Sequence, residues 1–299
     1  MSALRISAPI ADAITARRPV VALESSVLAQ GLPIPANRQA ASRMNAAVER
    51  SGAVPAITAV VRGQLSIGLD GEDLERFLNR EGVRKVSARD LPVACVQKAD
   101  GATTVAASLC IAGAAGLDAF ATGGIGGVHR DAPFDESADL VELARTPMVV
   151  VCAGAKSILD VPATLERLES LGVTVVGYRT DEMPGFFTTS TGLRLNARAE
   201  TPREIAMIHR MSRELGRQQA TLVVQPPPAE LALPAELVDG AVVTALEAAR
   251  RSGISGAAVT PFLLAAVERA TGGRSLETNL GLLEANARLA GEIARELRR

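Results

Sequence analysis

The chain has no tryptophan, one tyrosine and only 2% aromatic residues. A stacking platform for nucleobases or single strands is therefore excluded as its organising feature. So few rings also mean that the core must be filled by Ala, Val, Leu and Ile. An excess of charge of one sign is missing too. Against 33 acidic residues stand 32 basic ones, a net charge of −1, and this leaves no electrostatic case for nucleic acid or an anionic membrane. Cysteine is scarce: Cys95, Cys110 and Cys152 all lie in apolar stretches. Their spacing fits neither a disulfide framework nor a zinc site, so free thiols in a reducing compartment are expected. No apolar run reaches the roughly 18 residues that a membrane helix needs, and no N-terminal stretch has signal-peptide form. A cytoplasmic protein without a membrane partner is the expectation.

Lysine is the most telling scarcity. Among the 32 basic residues only Lys85, Lys98 and Lys156 are lysine; the rest are arginine. Arginine replaces lysine readily on a solvated surface. It cannot do so where a deprotonated amine is needed, because the guanidinium stays charged. Each retained lysine is thus a candidate functional amine, with chance retention on the surface as the competing account.

What is present reads as a soluble globular chain: 299 residues, 47% hydrophobic and 22% charged. Apolar and β-branched runs predict strands at 19–23, 54–62, 64–68, 83–87, 91–96, 117–122, 148–152, 173–178 and 222–225. The second and third are joined by Arg62-Gly63 as a hairpin. Helices are expected at 37–51 behind an Asn37 cap, 70–79 behind Asp70, 103–116, from Asp135 or Ser137 to 145, and 157–171 with an interruption at Pro162. Four more should cover 202–215, 236–251, 261–270 and 276–297. Strands alternating with helices predict an α/β fold: three layers, α/β/α, around a mixed, largely parallel central sheet. With no long polar linker or internal repeat, residues 1–299 read as a single domain. Pro226-Pro227-Pro228 stiffens a crossing within it.

Residues 121–160 gather most of the chemistry. Gly123-Gly124-Ile125-Gly126-Gly127 follows a strand, where backbone N–H groups can approach an anion. It matches neither the dinucleotide fingerprint nor a Walker A loop, and a tight turn explains the same glycines. His129 and Arg130 leave this loop; the other histidine, His209, falls in a predicted helix as a packing or surface residue. Asp135, Glu136 and Asp139 suit a hard divalent ion held by one or two carboxylates plus waters. An acid-decorated helix N-terminus accounts for them equally well. Lys156 follows the apolar run 148–152, at the strand end where open α/β sheets place ligands. Burial and nearby cations turn such an amine into a nucleophile; a solvent-facing strand end is the alternative. Glu24 closes the apolar run 19–23, a costly place for a carboxylate unless it is paired or reaches water.

Several stretches together resemble a known family. ALESSVLAQGLPIPAN, KVSARDLP, DGATTVAAS, FATGGIGGVHR, FDESADL, VVCAGAKSILD, GYRTDEMPGFF, TPFLL and SLETNLGLLEANARLAGEIA look like the pseudouridine-5′-phosphate glycosidase family, relatives of the indigoidine synthase A proteins. The resemblance runs in order from about residue 19 to the C-terminus. It implies an α/β/α enzyme, a pseudouridylate synthase. Such an enzyme reversibly cleaves the C–C glycosidic bond of pseudouridine 5′-phosphate to uracil and ribose 5-phosphate. By the same resemblance, Lys156 is the covalent nucleophile that forms a Schiff base, Glu24 the proton donor and Asp135 the ligand of one Mn²⁺ per subunit. Lys85, Val105, Ser137, Ala138 and Asp139 take the substrate-binding positions, and Thr122 and His129 help hold the phosphate. A cytoplasmic homotrimer acting on small molecules is implied. The segment between Arg130 and Phe134 is shorter than the family pattern. The sequence holds no sugar-kinase domain of the kind fused to some relatives, so a separate enzyme is expected to phosphorylate pseudouridine. Two other classes compete: a non-catalytic phosphosugar- or nucleotide-binding protein, and a related enzyme of indigoidine-type pigment biosynthesis.

Overall fold

A computed structural model describes residues 4–130, 134–254 and 259–299, the side chains of residues 260 and 261 excepted. The shortened loop after Arg130 and the side chains opening the TPFLL stretch lie outside the described residues. The strands are β1 Leu4–Ile6, β2 Val20–Leu23, β3 Val54–Val61, β4 Gln64–Ile67, β5 Val83–Val86, β6 Asp100–Thr103, β7 Ala119–Ala121, β8 Val128–His129, β9 Val149–Cys152, β10 Leu159–Asp160, β11 Thr174–Tyr178, β12 Arg198–Ala199 and β13 Thr221–Val224. The helices are α1 Ala8–Thr15, α2 Ala36–Arg50, α3 Gly71–Leu78, α4 Leu91–Val96, α5 Val105–Ala114, α6 Ala138–Leu143, α7 Val161–Ser170, α8 Pro202–Glu214, α9 Ala235–Arg251, α10 Val259–Ala270 and α11 Arg274–Leu297.

The sheet runs β1-β4-β3-β2-β7-β9-β13-β11-β12. From β3 to β12 every neighbour is parallel. The β3–β4 hairpin is antiparallel, and β6 pairs antiparallel with β3 while β5 runs parallel to β6. The predicted mixed, largely parallel sheet is therefore what forms. Its central strands β2, β7, β9 and β13 are buried at every residue, the continuous apolar run expected of strands covered on both faces. α11 lies against β2, β7 and β9 with α2 and α8 beside it, and α5, backed by α6, packs on β2, β3 and β6. No helix among the described residues is long and apolar enough to cross a membrane.

Local chemistry overrides the sequence reading in four places. Residues 91–96 form α4, not a strand. Ser87 and Asp90 make a reciprocal capping box just before it, and Pro92 occupies its first turn. Those start signals outweigh the β-branched residues. Asn37 does not cap α2 but sits inside it, fully buried, its amide donating to Leu28 O (3.0 Å) and Leu78 O (2.8 Å). Residues 100–103 are strand β6, so the next helix starts later, at Val105, with Thr104 as its cap. Finally, Pro162 opens α7 instead of interrupting it, because Asp160 caps the helix by accepting from Ala163 N (3.0 Å).

Candidate active site

Register decides which residues meet. Leu23 of β2 lies opposite Ala121 of β7, Ala121 opposite Val151 of β9, and Cys152 opposite Val224 of β13. The residues that follow, Glu24, Thr122 and Gln225, therefore leave the sheet side by side at its carboxyl edge, the usual ligand edge of an open α/β sheet. Lys156 comes four residues past the end of β9.

Glu24 is 4% exposed. Burying a carboxylate demands partners, and two hydroxyls supply them. Ser26 Oγ donates to Oε2 at 2.5 Å, and Thr122 Oγ1 donates to Oε1. Asn286 of α11 steadies Thr122 from behind, its Nδ2 donating to Thr122 O (2.8 Å) and Gly123 O (3.3 Å). Gln225 Nε2 in turn donates to Asn286 Oδ1 (2.8 Å). Beside this wall lies a buried hydroxyl cluster. Thr58 Oγ1 meets Thr103 Oγ1 (3.0 Å) and Ser108 Oγ (2.9 Å), and Ser25 Oγ meets Thr103 Oγ1 (3.1 Å). The Ser25–Thr103 contact ties the end of β2 to β6, and thus to β5, where Lys85 lies opposite Ala102.

Two amines lie near this carboxylate. Lys85 keeps exposed surface, yet enough protein crowds it to desolvate the ammonium. Desolvation first, then the Lys156 charge, push its pKa below the ordinary lysine value, while Glu24 and Asp139 pull it upward. Four charged groups therefore share one electrostatic environment. Lys156 is half-buried, and its amine has no hydrogen-bond or ion-pair partner among the described residues. Its backbone, in contrast, is fixed. Lys156 N donates to Ile125 O (3.1 Å), Ile125 N to Gly154 O (3.1 Å) and Ala153 N to Gly123 O (2.8 Å). The lysine loop thus runs alongside the glycine loop. Gly154 has φ +89°, and Pro184 O approaches so closely that a Cβ there would overlap it. Cys152 below is fully buried; loss of solvation, partly offset by the N–H groups of Gly154 and Ile125 and by the Lys156 charge, pushes its thiol up to about 12. It is free and inert, as expected of this cysteine.

The positions implied to bind substrate divide in two. Asp139 is 5% exposed, and backbone donors take both its oxygens: Ala106 N on Oδ1 (2.9 Å) and Gly126 N on Oδ2 (2.8 Å). It locks the glycine loop onto the start of α5. Ser137 caps α6 by accepting from Asp139 N (3.2 Å), and it lies so near Gly126 that any side chain there would collide with it. Val105 buries its side chain at the first turn of α5. Ala106 N goes to Asp139 and Ala107 N to Thr104 Oγ1 (3.4 Å). The Val105 N–H, at the first position of the helix, has no hydrogen-bond partner among the described residues. Ala138 is exposed at the start of α6.

Asp135 lies apart. It is exposed, its carbonyl accepts from His129 N (2.9 Å), and no group of three or more His, Cys, Asp or Glu side chains among the described residues converges to hold a metal. A protein cage is ruled out for those residues; a hydrated ion on one carboxylate is the form that fits. His129 stands on β8, which pairs with β10, and Arg130 clamps the segment beyond Lys156 through Leu159 O (3.0 Å) and Ser157 O (3.3 Å). A cavity of about 870 Å³ touches this segment at Ser157 and Arg130, but Glu24, Lys85 and Lys156 do not line it. Volume and chemistry point to different places, and perturbed titratable groups are the better marker of a candidate site.

Sequence reasoning misses Ser26, Gln225 and Asn286. For Asn286 a signal exists. It is a lone amide among Leu282, Leu283, Ala287, Leu289 and Ala290, on the buried stripe of an expected helix.

A family model described as indigoidine synthase A like protein matches residues 9–296. A protein of Gemmatimonas aurantiaca named pseudouridine-5′-phosphate glycosidase is 64% identical over 290 residues, 97% of this chain and 95% of its own. One of the same name from Herpetosiphon aurantiacus is 48% identical over 296 residues, 98% of each. Among solved structures, a prealnumycin C-glycosynthase in complex with ribulose 5-phosphate superposes with a TM-score of 0.93 at 38% identity, covering 100% of this chain and 98% of that one. An indigoidine synthase A-like protein of Thermotoga maritima gives a TM-score of 0.91 at 35% identity, with the same coverage.

Proposed function

The chain belongs to the indigoidine synthase A-like family, and from that premise we propose that it cleaves the C–C glycosidic bond of pseudouridine 5′-phosphate, reversibly, to uracil and ribose 5-phosphate. The observation that carries this reading is that Glu24 leaves β2 and the Lys156 loop leaves β9 at the same sheet edge, with Lys85 close enough to feel both charges. The names of the relatives at 64% and 48% identity support the substrate.

A C–C bond offers no heteroatom leaving group, so the pair of carboxylates used on ordinary glycosides does not suffice. In the proposed sequence the Lys156 amine bonds to C1′ as the ribose C1′–O4′ bond breaks, and O4′ takes up the proton that the nitrogen loses. The nitrogen lone pair then expels uracil. The C1′–C5 bond breaks, an iminium forms at C1′, and uracil C5 takes a proton from Glu24. Water hydrolyses the iminium, releasing ribose 5-phosphate and restoring the amine. Lys85 supplies a point charge for the phosphate, with the Val105 amide as a second donor. Ser137 and Asp139 shape the loop around it. A hydrated divalent ion on Asp135, Mn²⁺ by the family resemblance, would order the base and the site water. The homotrimer is part of the same proposal; Met207, Met211 and Leu215, exposed four apart along α8 and its end, offer an apolar stripe for such a contact.

Incubation with uracil, ribose 5-phosphate and Mn²⁺ should yield pseudouridine 5′-phosphate. Binding of ribose 5-phosphate without that product would support a non-catalytic protein instead. A second reading, synthesis of a different C-glycoside, is favoured by the 0.93 superposition on the C-glycosynthase. It predicts product only with an aromatic acceptor other than uracil.

A further inference from the structure

A residue that protonates a carbon must aim its proton along one axis, above the plane of the base. Glu24 is held for this by two unequal hydroxyls. Ser26 is two residues along the same chain and moves with it. Thr122 directly follows the neighbouring strand β7 and is held through its N–H, its carbonyl and its hydroxyl. Its N–H donates to Val151 O (3.0 Å), its carbonyl accepts from Asn286 Nδ2 (2.8 Å), and its hydroxyl donates to Glu24. Asn286 spends its whole amide on Thr122 O, Gly123 O and Gln225 Nε2, and it is 1% exposed. It has no donor left for a substrate. The line Gln225–Asn286–Thr122–Glu24 thus crosses from β13 through α11 and β7 to β2.

We propose that Thr122, braced by Asn286, is a positioning residue that fixes the Glu24 carboxyl for proton transfer. This rests on Glu24 being the proton donor. A threonine hydroxyl can donate to a carboxylate and accept from a carboxylic acid, so it holds Glu24 in both states of the cycle. Valine has the same shape and can do neither.

The test is steady-state kinetics on pseudouridine 5′-phosphate, with thermal melting alongside. For Thr122→Val, kcat should fall at least about tenfold while KM stays within about threefold. Thr122→Ser, which keeps the hydroxyl, should return kcat to within about threefold of wild type. If Thr122→Val does not fold, Thr122→Ala is read in the same way. Undiminished kcat in the hydroxyl-free variant would overturn the proposal. So would a rise in KM at constant kcat, which would make Thr122 a phosphate contact. Absence of turnover by the wild-type enzyme would overturn the underlying reading itself, an outcome distinct from either.

Discussion

The carboxylate side of the site and its amines, here its two walls, are built on opposite plans. On the carboxylate wall both oxygens of the acid are engaged. Glu24 takes two hydroxyls, and Asn286 and Gln225 stand behind them, all buried. On the amine wall Lys85 is exposed by area, and the Lys156 amine has no partner among the described residues. The difference matches the work proposed for each. A proton donor gains from being held still, because reorganisation during transfer costs rate. A nucleophile that becomes covalently attached must travel with its substrate, so only its backbone is fixed.

Removing the mobile group should do the greatest damage. Lys156→Ala is expected to lose at least about 10⁴-fold in kcat, since no other step opens the covalent route; uracil release followed by absorbance would measure it. Turnover near wild type would end the comparison, because the free amine would then be incidental. Next comes the fixed wall. Glu24→Gln keeps the shape but cannot give a proton, and should cost about 10²–10⁴-fold in kcat with little change in KM.

Lys85 should show a smaller effect, on binding. Lys85→Ala should raise KM about tenfold to a hundredfold, the worth of one charge-assisted contact. The pH dependence sharpens this. The pKa of Lys85 is depressed, so its ammonium, and with it phosphate affinity, is lost as pH rises through a value below that of ordinary lysine. The alkaline limb of kcat/KM should therefore begin early, and Lys85→Arg, which stays charged, should remove the part due to KM.

The smallest effect tests a buried group outside both walls. His209 on α8 meets Thr221 Oγ1 at 3.0 Å; burial first, then the charge of Arg213, pushes it down to about 4. The unfolded chain then binds the proton more readily than the folded one. Stability should be full above about pH 6.5 and fall as pH drops to about 4, on the order of 3 kcal/mol in all. Chemical denaturation at several pH values would show the loss, and His209→Asn should flatten it without touching kcat.

Much of this is legible in the sequence, and what is not has a common physical cause. Continuous apolar runs give away β2, β9 and β13, and the scarcity of lysine makes Lys85 and Lys156 candidates on composition alone. Residues 91–96 mislead because their start signal, Ser87 with Asp90, lies outside the apolar run itself. The support behind Glu24 is invisible in the sequence because it is a matter of register. Thr122 meets Glu24 only since Leu23 pairs with Ala121, and Asn286 reaches Thr122 across 164 residues of chain. The resemblance implies a substrate contact for Asp139; the sequence does not show that each of its oxygens also accepts from a backbone amide, Ala106 N and Gly126 N, which is again a matter of register.

The decisive trial is covalent trapping. Wild-type enzyme is reduced with borohydride in the presence of ribose 5-phosphate, and its peptides are mapped by mass spectrometry. A reduced pentose-phosphate adduct should appear on Lys156 and on neither Lys85 nor Lys98. An active enzyme that carries no adduct, or carries it on Lys85, would contradict the assignment of the free amine as nucleophile.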